Sequence, residues 1–76
     1  LLLCDALVFG LRTNAGVRPA DLAARLGADV PAGLARLAAQ LAEEGLANWD
    51  GATLALTDEG RLVADAVGVK LMEIFP

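Results

Sequence analysis

Any chemistry done by this chain must come from few residues. Its 76 residues include one cysteine (Cys4), three threonines, ten carboxylates and six Lys/Arg, with no His, Ser or Tyr. Lacking His, it lacks the commonest general base and metal ligand, and one thiolate cannot hold zinc or an iron–sulfur cluster. Thr13, Thr53 and Thr57 fall at turn, strand and helix-start positions, and no carboxylate is spaced against a nucleophile or base. No glycine pattern that could cradle a phosphate occurs. We therefore assign the chain no catalytic, cofactor-binding or metal-binding residue of its own. Cys4 excludes an internal disulfide and reads as a small apolar helix residue.

The elements that position the remaining side chains follow from periodicity. Residues 1–13 are apolar and helix-compatible, and the run stops at Asn14 and Gly16. A second short helix opens near Pro19 and Asp21, turns Leu22 and Leu26 inward, and closes at Gly27. A third takes Asp29 as its cap, Pro31 in its opening turn and Gly45 as its end, with Leu34, Leu37, Ala38 and Leu41 as one apolar stripe. The period then changes. Asp50-Gly51 between two short β-compatible runs predicts a tight hairpin with Trp49 opposite Ala52 and Ala47 opposite Leu54. Ala47, Trp49, Leu54 and Leu56 would share its inner face. Thr57 then caps a last helix running to about Phe75, with Asp58 and Glu59 at its positive end and Arg61 paired to Asp65.

This order predicts a mainly α fold with a small β-hairpin, a winged helix-turn-helix of three helices, a two-stranded wing and a C-terminal helix. We expect one domain over residues 1–76. A chain this short buries only about 60–65% of its unfolded surface, yet 57% of its residues are hydrophobic. The excess predicts a contact with something else. The opening "LLLCD", without Met or a polar lead-in, suggests a piece of a longer polypeptide. Its apolar stretch is too short to span a bilayer and no signal-peptide layout precedes it, so we expect a cytoplasmic chain with no membrane partner.

A winged helix raises the question of DNA. Net charge is −4, and off its Leu stripe the third helix offers Arg36 and Gln40 beside Glu43 and Glu44. DNA readers need several clustered cations to neutralise phosphates. The six cations here are dispersed and the wing tip carries Asp50, so we expect no nucleic-acid partner.

Two stretches are more specific than the fold. "GLRTNAGV" (10–17) ends the first helix and "LTDEGRLVADAV" (56–67) opens the last. With the Asp50-Gly51 wing between them, they resemble the C-terminal domain of the oxygen-independent coproporphyrinogen III oxidase family, which includes related haem chaperones. The matching positions are Asp5, Gly10, Leu11, Arg12, Gly16, Val17, Leu56, Thr57, Gly60, Arg61 and Leu62; Asp5 stands where Glu is expected. Gly10, Leu11, Gly16, Thr57 and Gly60 are the structural signature.

The resemblance implies a parent protein with a radical S-adenosylmethionine barrel and a [4Fe-4S] cluster held by CxxxCxxC, a motif this chain lacks. The parent would convert propionates of a porphyrinogen to vinyl groups, or handle haem. This chain would be its non-catalytic accessory domain, packed on the catalytic barrel and helping enclose the substrate site. Arg12 and Arg61 become candidates for an interdomain or substrate-carboxylate contact. Their simpler readings are a helix-end or carboxylate interaction for Arg12 and the Asp65 pair for Arg61. Gly10 would allow close helix–helix approach or approach to another domain, and Gly60 a close start of the last helix against the wing or a neighbouring helix. The apolar ends "LLLCDALVF" and "KLMEIFP" would form the seam with the barrel, or a homodimer interface without it. The alternatives are a stand-alone winged-helix interaction module and a DNA-binding regulator.

Overall fold

The computed structural model describes residues 2–13 and 15–75. The stop signal assigned to Asn14, and Leu1 and Pro76 of the apolar ends, lie outside the described residues. Three helices come first: α1 (Leu2–Leu11), α2 (Pro19–Leu26) and α3 (Leu34–Glu43). A hairpin of β1 (Ala47–Trp49) and β2 (Leu54–Leu56) follows, then α4 (Asp58–Leu62) and α5 (Ala64–Ile74). The chain is mainly helical with one small antiparallel sheet, as expected.

The core joins the predicted α3 stripe and inner hairpin face to residues of α1 and α5. Leu3, Leu7 and Leu11 of α1, Leu34, Leu37, Ala38 and Leu41 of α3, and Val67 and Leu71 of α5 close over Ala47, Leu54 and Leu56 of the hairpin. Trp49 lies half-buried against this cluster, and Cys4 is buried on α1. The second helix differs from expectation. It buries Pro19 and Ala23, leaves Leu22 half-buried and leaves Leu26 41% exposed. Pro19 and small Ala23 carry α2's buried contacts, and Leu26, the last residue of the helix, stays at the rim.

Three local expectations are corrected. The third helix begins at Leu34 with Gly33 as its cap residue, not at Asp29. Its first turn is instead closed by Leu34 N–H donating to the Pro31 carbonyl at 3.1 Å, and Asp29 is exposed. The hairpin pairs Trp49 with Leu54 and Ala47 with Leu56, two positions on from the predicted register. Asp50 Oδ1 accepts from the N–H groups of Ala52 at 2.8 Å and Thr53 at 2.7 Å, which moves the turn onto Gly51 and Ala52. Side chains alternate with period two, so a two-residue shift keeps the predicted inner face.

The last helix, predicted as continuous, breaks at Val63 (φ −116°, ψ 29°). Its N–H bonds the Gly60 carbonyl three residues back at 3.1 Å, ending α4 tightly before α5 starts. The break separates Arg61 from Asp65. Arg61 pairs with Asp58 at 2.7 Å instead, and Asp65 pairs with Arg12 at 3.5 Å.

Candidate functional site

The signature residues assemble around two close backbone approaches. At the first, Thr57 N–H donates to the Leu46 carbonyl at 3.0 Å and Thr57 Oγ1 donates to the Gly45 carbonyl at 2.7 Å. The same hydroxyl oxygen accepts from Gly60 N–H at 3.1 Å, capping α4 as predicted. Gly60 is buried here, and a Cβ on it would overlap the Leu46 carbonyl oxygen. The last helical segment thus starts directly against the chain that enters the hairpin.

At the second, Gly16 adopts φ +76° and lies against the backbone of Leu54 and Ala55. This left-handed turn delivers Val17 beside β2, where Val17 and Leu54 exchange two 2.8 Å backbone hydrogen bonds. Gly10 makes room for the Val17 side chain, so its close neighbour is this bridge and not another helix. Leu11 is buried in the core. The Val17 bridge was not predicted; the only local trace of it is the Gly-Val pair that ends "GLRTNAGV".

Arg12 and Arg61, 49 positions apart, line one shallow depression with Leu62, Ala64 and Asp65. They differ in how firmly they are held. Arg61 grips Asp58 and reaches the Leu56 carbonyl at 3.5 Å, tying α4 to β2. Among the described residues, the Arg12 side chain has a single 3.5 Å contact, to an Asp65 carboxylate that is 99% exposed. Exposed ion pairs of this kind contribute about 0–1 kcal/mol, so Arg12 is the looser cation.

An apolar groove of about 770 Å³ lies at the end of the molecule where both apolar ends meet. Leu2 and Leu3 of α1 form one side, Ile74 at the end of α5 with Phe75 after it another, and Leu26, Val30 and Pro31 the third. Asp29 is its single charged lining residue. The predicted convergence of the two termini is therefore present in the fold. A second groove, about 450 Å³, runs between α1 and α5 beside Phe9, Val69 and Met72.

Asp50 in the hairpin turn has a displaced titration. The N–H bonds from Thr53 and Ala52 hold it below the ordinary carboxylate range. It sits in the hairpin turn, away from both grooves, and serves the turn.

Among the described residues, no group of three His, Cys, Asp or Glu is placed to hold a metal. The donor set does not fit a [4Fe-4S] cluster either, since the sequence has one thiol and that thiol is buried. No helix among the described residues is long and apolar enough to cross a membrane. No curated protein and no solved structure gives a significant match. A family model described as the HemN C-terminal domain matches residues 2–63, from the start of α1 to the break at Val63. The match spans both close approaches, Gly16 against β2 and Gly60 against Leu46, and the chain belongs to the HemN C-terminal domain family.

Proposed function

We infer that this chain is a non-catalytic accessory domain of an oxygen-independent coproporphyrinogen III oxidase-like radical S-adenosylmethionine protein, acting in porphyrin or haem biosynthesis or in haem delivery. In this reading it is a cytoplasmic winged helix that packs on the catalytic barrel of its parent and helps enclose the porphyrinogen or haem site. The cluster and S-adenosylmethionine belong to the barrel, and no residue here performs a step on them.

The single observation that carries the docking is the end groove. A domain of this size has no need for a 770 Å³ apolar recess walled by both of its ends. Recesses of this kind and size accept a partner's apolar side chains. Arg61 holds α4 in place, and Arg12 is the cation open to a carboxylate outside the chain. The outer side of α3 keeps Glu43 and Glu44 exposed beside Arg36 and Gln40, which supports a partner other than nucleic acid.

The test is calorimetric titration of the chain with the separately produced remainder of its parent protein. Saturable binding is expected, and Val30→Lys, in the loop of the groove, is expected to weaken it about tenfold or more by burying an unpaired charge. Duplex DNA at physiological salt is expected to give no heat. Binding to DNA, with none to the parent's remainder, would select the regulator reading instead.

A further inference from the structure

The outer face of α1 complements itself. Leu3, Leu7 and Leu11 point into the core, while Asp5, Phe9 and Arg12 are exposed on the opposite side at i, i+4 and i+7. Phe9 is 76% exposed, and the groove beside it is walled by Val69 and Met72, themselves 50% and 57% exposed. Charges of opposite sign bracket the ring, one turn before and one turn after. Among the described residues, the Arg12 side chain is tied only by its long, solvated contact with Asp65, and Asp5 has no ion pair.

Arg12 directly follows Leu11, the last residue of α1, and lies about 10.5 Å along the helix direction from Asp5 at 1.5 Å per residue. A two-fold axis crossing α1 between Val8 and Phe9 bisects that span. An antiparallel α1 from a second copy then sets Asp5 opposite Arg12 of the second copy, and Arg12 opposite its Asp5. The two Phe9 rings meet beside the axis. A parallel pairing would set like charges against each other.

We propose that this face is a homodimer interface: an antiparallel α1–α1 contact with isologous two-fold symmetry. Phe9, Val69 and Met72 supply the apolar centre, and the two Asp5–Arg12 pairs fix direction and register. The interface is distinct from the end groove, and it stands or falls separately from docking on a parent barrel.

Sedimentation of the chain over a range of concentrations reads it out. Arg12→Asp places carboxylates together at both ends of the contact and weakens dimerisation about tenfold or more. Asp5→Arg does the same with cations. The double exchange D5R/R12D restores dimerisation, although it abolishes the internal Arg12–Asp65 pair. Phe9→Asp gives a monomer whose melting curve stays close to that of the parent sequence, because the side chain is exposed. A chain that stays monomeric at every concentration overturns the proposal. So does a double exchange no better than either single reversal, or a face protected only when the rest of the parent protein is attached.

Discussion

A methyl group on Gly60 would occupy the place of the Leu46 carbonyl oxygen. That oxygen cannot swing aside cheaply, because it accepts the 3.0 Å hydrogen bond from Thr57 N–H. Two effects compete in Gly60→Ala. Helix propensity favours Ala by about 1 kcal/mol, whereas overpacking against rigid backbone costs about 1–3 kcal/mol or more. Clash wins, and urea unfolding should show a net loss of about 2 kcal/mol; a gain of about 1 kcal/mol would refute the close approach. Gly45→Ala makes the contrast. Gly45 has φ +76° but open space around its missing Cβ, so only the left-handed strain of about 1 kcal/mol applies. At this scale the sequence was informative about position and silent about partner. Gly60 stood out as a glycine in a first turn, but the carbonyl that requires it lies 14 residues upstream, beyond the reach of any local pattern.

Elements were readable where periodicity rules and misread where side chains redirect the backbone. The stripe of α3 and the inner face of the hairpin follow from spacing alone, whereas the near-uniform apolarity of α1 hides which of its residues face the core. The hairpin register does not, because Asp50 captures two N–H groups and relocates the turn. The break at Val63 has no Pro or Gly to announce it, and it undid the predicted Arg61–Asp65 pair. Two predictions belong here. Thr57→Ala removes the cap of α4 and the bond to Gly45, and should cost about 1–2 kcal/mol in chemical denaturation, with Thr57→Ser near neutral. Asp50 titrates lower folded than its ordinary 3.8. Its contribution is therefore present at neutral pH and is lost as pH falls through the lowered folded value. In NMR titrations, the Ala52 and Thr53 amide shifts should move in that acid window in the wild type, and the Asp50→Asn variant should lose the transition.

The whole molecule is a small helical body with its two ends gathered around one apolar groove, and the excess hydrophobicity of the sequence is partly spent there. Composition alone signalled that excess; only the fold locates it, because Leu2, Val30 and Ile74 are brought together from three separate segments. The family match spans the segments that make both close backbone approaches. In the proposed reading, the end groove is covered by the rest of the parent protein. Amide hydrogen exchange on the full-length parent and on this chain alone tests it most directly. Among the described residues, the N–H groups of Val30 and Ala32 make no hydrogen bond within the chain, so their exchange reports what covers the groove. Both amides should exchange at least about tenfold more slowly in the parent, while those of the hairpin turn keep their rates. Equal rates at Val30 and Ala32 in the two proteins would contradict it.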